Sequence, residues 1–222
     1  MKTHIENFLS KIHILKEKSP YQKFTNWRKK TYLKKYTEKD AETKVLCLIE
    51  KLVIFSLFIA LLGVIYLGIL NHLNIDYFSI PAIIFLITFI LISIVRICDI
   101  LVYQFYVIFV APSMGDPLRG PERMIILLII NYFEIIFWFA FFYRIIYNLF
   151  DNVFVGSSLI NSINGSLYFS VVTMTTLGYG DVTPSHWFSM FLICIQVLIG
   201  LFIAFILIAR FIPLLKNYLI SR

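Results

Sequence analysis

The chain is 222 residues long, 59% hydrophobic and only 15% charged, with a mean hydropathy of +0.83. A soluble domain of this size has no use for so much apolar surface, so the composition excludes that class and points to the bilayer. The formal charge of +7 sits in residues 1–44, which hold twelve Lys/Arg against five Asp/Glu; beside an apolar stretch this reads as an orientation signal, not a nucleic-acid site.

Within 1–44, Ile5, Phe8, Leu9, Ile12 and Leu15 recur at helical spacing among lysines. Tyr21, Phe24, Trp27, Tyr32 and Tyr36 then interleave with Lys23, Arg28, Lys29, Lys30, Lys34 and Lys35. The pattern suits two interfacial helices on an anionic lipid headgroup layer, and equally a solvated tail that only sets topology. Four uncharged or nearly uncharged runs follow, each long enough to cross about 30 Å of hydrocarbon as a helix: 46–70, 80–102 with helix continuing toward 110, 124–148 and 187–212. The first apolar run is too long and starts too late for a secretory signal.

Loop charges fix the expected topology. The 71–79 loop has Asp76 and no Lys/Arg, and 149–186 has Asp151 and Asp181 and no Lys/Arg, whereas the connection near 111–123 carries Arg119 and Arg123. Both termini are therefore expected in the cytoplasm, in a multi-pass protein of the plasma membrane. The second span has one basic residue, Arg96, with Asp99 three positions later, which reads as a self-neutralising pair and not as a voltage sensor. In the third span Asn131 and Glu134 are membrane-embedded polar residues, Glu134 needing a partner inside the protein, with the second span a candidate to supply it, and Arg144 is placed to snorkel at the outer end. Cys47, Cys98 and Cys194 lie in spans and read as small core residues. The four histidines form no ligand cluster, and no nucleophile–base pair or phosphate loop appears, so an enzyme is not expected.

Between the last two spans, 163–175 is too short to cross and fits a re-entrant helix, with Ser162 or Asn164 as N-cap. It leads into Thr175-Thr176-Leu177-Gly178-Tyr179-Gly180-Asp181. A bare cation in an apolar interior costs tens of kcal/mol unless its hydration shell is replaced. Backbone carbonyls can replace it if alternate residues take unusual φ, which glycine permits, and Gly178 and Gly180 are spaced for that. The Thr176 hydroxyl adds an oxygen at the inner end, and Tyr179 suits packing outward against the preceding helix.

Thr176–Asp181, with the helix before it and the spans around it, resembles the selectivity filter and pore of the potassium channel family; the resemblance covers the chain from about Glu122 onward. It implies an all-α membrane protein with four transmembrane helices, a re-entrant pore helix and a filter, assembled as a homotetrameric pore because one chain supplies one filter. The implied organisation is a basic N-terminal segment at 1–44, two accessory helices at 45–110 and a pore domain at 122–215. The implied function is passive, selective K+ conduction, the permeant ion meeting the carbonyls of Thr176, Leu177, Gly178 and Tyr179, with Gly180 completing the filter. Tyr168, Thr175 and Asp181 would support the filter, Tyr168 standing where many relatives place a Trp that bonds the acid. Leu177 replaces the commoner Val, and Val172 stands where some bacterial relatives have a buried Glu. Gly200 has the spacing of the family's gating hinge, with close helix packing as the bland alternative, and Leu201, Ala204, Ile208 and Ile212 would face the cavity. A non-conducting regulatory subunit or a potassium transporter subunit is the alternative function.

Overall fold

In a computed structural model of the chain, residues 10, 11, 14, 17, 18, 20–33, 38–72, 79–109, 121–150, 152–156 and 159–220 are described. The apolar stripe of residues 5–15, the loop acid Asp76, Arg119 and Asp151 lie outside them, except for single positions within the stripe. The elements are α1 (Pro20–Leu33), α2 (Glu38–His72), α3 (Ile80–Phe109), α4 (Pro121–Leu149), β1 (Phe154–Val155), α5 (Ile163–Met174), β2 (Thr183–Pro184) and α6 (Trp187–Ile220). α1 and α4 both start on proline, whose fixed φ and missing N–H cost nothing in a first turn.

Four stretches are long and apolar enough to span a membrane: Cys47–Leu70, Ile80–Tyr106, Arg123–Leu149 and Trp187–Ile212. They coincide with the four runs read from the sequence to within one residue at every end but one, the second span continuing to Tyr106. α2 begins well before its apolar part, so the last residues of the basic block are the first turns of a span helix.

α4 is the centre of the bundle. Over half of its apolar window (56%) is buried, against 28%, 22% and 28% for the other spans. One face meets α2, and others meet α5 and α6. Its side chains Trp138, Phe139, Phe141 and Tyr143 are almost wholly enclosed. Phe89 of α3 packs on Trp138 and Phe141 with centroids 5.7 and 5.2 Å apart, tying the first two spans to the last two. Toward the other end of α3, Phe105 stacks on Phe202 of α6 at 4.4 Å.

Polar groups inside this bundle are paired across helices, as an apolar surround demands. Glu134, fully buried, accepts from Arg96 of α3 through Nε at 2.8 Å and Nη2 at 3.0 Å. The Ser56 hydroxyl of α2 and Trp138 Nε1 donate to the same carboxylate. The guanidinium of Arg96 thus reaches across to α4 and supplies the partner that Glu134 needs. One turn away Asn131 faces a cavity of about 30 Å³, room for a water molecule, shared with Asp99 and Tyr103. Nearer the start of α4, Arg123 pairs with Glu50 of α2.

Two expectations are corrected. Arg144 is 2% exposed and lies against α2 at Gly68; the second helix covers it, so it does not snorkel. Cys47, Cys98 and Cys194 are free thiols on the exposed faces of their helices, not core residues, because the bulkier aromatics fill the interior.

Candidate functional site: the segment after the short helix

α5 begins where Ser162, at φ −92° and ψ 155°, caps it and accepts from the Gly165 amide at 2.9 Å. Of the two cap candidates in the sequence, Ser162 is the one used. Ser166, Phe169, Ser170, Val172, Thr173 and Met174 are buried on its inner faces. Since α5 is too short to cross, its end reaches only the level of Tyr132 on α4 and Gly200 on α6, well inside both spans.

Two helices, α4 and α6, grip this end. The Ser170 hydroxyl donates to the Ile136 carbonyl of α4 at 2.7 Å. Gln196 of α6 donates through Nε2 to the Ser170 carbonyl and hydroxyl at 3.0 and 2.9 Å, and its own carbonyl accepts from the buried Tyr143 hydroxyl. Tyr132 donates to the Met174 carbonyl at 3.2 Å. Gln196 is fully buried, and an amide leaving water must bring its partners with it. Sequence reasoning missed this network. Gln196 within a 23-residue run without charge, 187–209, was its signal.

α5 stops because the chain turns left-handed. Thr176, Gly178 and Gly180 have φ of 59°, 55° and 78°, whereas Leu177 and Tyr179 are not among the positive-φ residues. This alternation turns successive carbonyls toward one side. Glycine adopts it freely at two of the positions. At Thr176 it costs of order 1–3 kcal/mol, strain that a surrounding structure must hold. The sequence pointed to the two glycines and not to Thr176. The holding bonds run back to α5: Thr176 N–H to the Thr173 carbonyl at 3.1 Å, and Leu177 and Gly178 N–H to the Val172 carbonyl at 3.0 and 3.5 Å. Among the described hydrogen bonds none ends on a carbonyl of 176–180. The segment therefore offers a row of oxygen acceptors whose amides are already occupied at its inner end.

Its outer end is braced from the side. Tyr168 of α5 donates to Asp181 Oδ2 at 2.7 Å and lies parallel to Tyr179, with centroids 6.4 Å apart. The bond to the carboxylate pushes the Tyr168 phenol up to about 12, so it stays a donor at neutral pH. Asp181 Oδ1 accepts from the Val182 amide at 3.0 Å. Beyond it, β2 pairs antiparallel with β1, Val155 opposite Thr183, and Ser189 donates to the Val153 carbonyl at 2.9 Å. Thr175 turns its hydroxyl back onto the Val171 carbonyl at 2.8 Å.

α6 runs unbroken through Gly200. A Cβ there would stand 2.7 Å from the Met174 carbonyl oxygen, so the inner helix touches the end of α5 at the one residue without a side chain. Leu201, Ala204, Ile208 and Ile212 share an exposed face of the single chain. Among the described residues no group of His, Cys, Asp and Glu is arranged to hold a metal ion.

Residues 125–217, which take in nearly all of α4, all of α5, the segment after it and most of α6, match a family described as "Ion channel". Over these residues, 93 of the 222, the chain is similar to ion channels. Within the chain, 62 residues (28% of its length) are 37% identical to two pore potassium channel a of Oryza sativa subsp. japonica. That stretch covers 17% of the rice protein, so the chain spans a small part of that relative. No solved structure matches at a significant level. Four helices long and apolar enough to cross a membrane, and a stretch similar to ion channels, together make this a multi-pass membrane protein.

Proposed function

We propose that the chain is one subunit of a homotetrameric, potassium-selective channel that passes K+ down its gradient. The observation that carries this reading is the run of carbonyls on 176–180 that accept none of the described hydrogen bonds, with left-handed φ at every second residue. Four such runs around an axis would supply rings of oxygens in place of the ion's water, the requirement for conducting a dehydrated cation. The carbonyls of Thr176, Leu177, Gly178 and Tyr179 would coordinate the ion, Gly180 would close the row, and Tyr168 and Asp181 would keep its width. In this reading the end of α5 points its negative dipole toward the middle of the membrane, which favours a cation there.

The need for further copies is supported by what one chain leaves bare. Leu177 and Tyr179 are 58% and 66% exposed, and so are Phe205 and Ile208 of α6 at 68% and 57%. Large apolar groups beside a polar row are covered if neighbouring copies pack around them. In this reading Gly200 serves as a bending point and Leu201, Ala204, Ile208 and Ile212 line the cavity below the filter, where apolar rings close a pore by dewetting. The basic first segment places both termini in the cytoplasm of a plasma-membrane protein and meets anionic lipid. The rice relative is named a potassium channel, which favours the same ion.

The test is flux through purified protein in liposomes, with potassium and sodium gradients compared and barium added as a blocker. Potassium-selective, barium-sensitive flux is the expected result. Equal sodium flux would overturn the selectivity, and a protein that passes ions only with a second channel subunit would be the regulatory subunit instead.

A further inference from the structure

The segment of α4 from Asn131 to Trp138 is held on two opposite faces. On one, Glu134 takes the two-pronged bond from Arg96 and the hydroxyl of Ser56, and Arg96 Nε also reaches the Ser56 hydroxyl at 2.9 Å, so the three side chains join α3, α2 and α4. On the other, Tyr132 donates to the Met174 carbonyl and Ile136 accepts from Ser170. Residues two before and two after Glu134 lie about 200° away around a helix of 3.6 residues per turn, which is why the two sets of bonds oppose each other. Met174 is two residues before Thr176, and its carbonyl is also where α6 passes at Gly200. A charge pair between the first two spans and α4 is therefore one helix diameter from the base of the carbonyl row.

We infer that Arg96 and Glu134 are positioning residues: through the turn 132–136 of α4, their pairing sets the geometry of the carbonyl row at 176–180. The first two spans then act on the filter from behind, not only on the inner helix through Phe105 and Phe202. This rests on the reading of the row as a potassium filter. The coupling is direct because the intervening groups are packed together, Tyr132 half-buried and Ile136, Ser170 and Met174 buried, and a packed interior shifts between discrete arrangements instead of yielding gradually.

The readout must report filter geometry and not assembly alone. Barium leaving a potassium filter does so, since it occupies the same oxygens as the permeant ion. Single substitutions strand a buried charge, so Arg96→Gln or Glu134→Gln alone is expected to reduce tetramer yield. The double variant R96Q/E134Q removes both charges and keeps an acceptor for Ser56 and Trp138. It is expected to assemble and to prefer potassium over sodium, with a barium dissociation rate changed about fivefold or more. Arg96→Lys keeps the charge without the two-pronged geometry and is expected to fall between the double variant and the wild type. A second double variant, E50Q/R123Q, breaks an ion pair that ties α2 to α4 and serves as the control, with barium kinetics unchanged.

Wild-type barium kinetics in both R96Q/E134Q and Arg96→Lys would overturn the inference and leave the pair a structural clamp. An equal change in E50Q/R123Q would overturn it too, since any loosening of the first spans would then suffice. A wild-type protein without barium-sensitive potassium flux sinks the filter reading itself, and the coupling with it.

Discussion

At Gly178 and Thr176 the same backbone demand meets two different side chains. Both residues hold φ between 55° and 59°. Thr176 bears the strain because its amide and those of the next two residues are fastened to α5, whereas Gly178 carries none. A methyl group at 178 meets nothing within 4 Å on the single chain, so the obstacle to Gly178→Ala is torsional, of order 1–3 kcal/mol in each subunit, repeated in every copy around the axis. Gly178→Ala is expected to abolish potassium flux while a native gel still shows the tetramer; normal current in that variant would refute the assignment of the row. At the outer end the Tyr168 hydroxyl is the brace on Asp181. Tyr168→Phe removes that bond and keeps the parallel stacking on Tyr179, so the expected change is a faster decay of current during sustained opening, with the potassium-to-sodium permeability ratio unaltered. An unchanged decay in patch recordings from reconstituted protein would mean that the row holds its width without the phenol.

The close approach of α6 to α5 separates two explanations of Gly200. A bending point needs only backbone freedom, and alanine in its place would leave stability nearly unchanged and shift opening. The geometry demands more, since the added Cβ would press on the Met174 carbonyl at 2.7 Å, and overpacking of this kind costs about 1–3 kcal/mol. Gly200→Ala is therefore expected to lower the thermal midpoint of the detergent-solubilised tetramer as well as to alter conduction; a lowered open probability with an unmoved midpoint would favour the hinge alone. The glycine was visible in the sequence, but its neighbour was not. Spans were legible because length and freedom from charge identify a membrane helix without reference to anything it touches. The N-cap at Ser162 was legible for the same reason, being a bond to a residue three positions on. Arg96 with Glu134, Gln196 with Ser170, and Met174 with Tyr132 are contacts between helices, and in helices apolar on nearly every face no periodicity fixes which faces meet. Local chemistry was read and rotational register was not.

For the whole molecule, the open question is how the basic N-terminal segment bears on the pore. α1 packs on α2 and shows Trp27 58% exposed, with the Arg28 guanidinium 5.5 Å from the centre of its ring; Lys23 and Lys30 are exposed as well. An indole beside cations suits the boundary between acyl chains and anionic headgroups, where each Lys or Arg contributes about 1 kcal/mol. The supports of the proposed filter come from elsewhere: Tyr132, Tyr143, Tyr168 and Gln196 belong to α4, α5 and α6. Deleting residues 1–36 is therefore expected to leave the potassium-to-sodium ratio at its wild-type value and to remove the dependence of flux on anionic lipid. The comparison is made in liposomes with and without phosphatidylserine, at low and high salt, because an attraction of this kind is screened within a Debye length. If the truncated protein keeps the wild-type lipid dependence, the segment only orients the chain. A changed permeability ratio would instead carry the influence of α1 through α2 and Ser56 to Glu134, along the route by which the first two spans reach the carbonyl row.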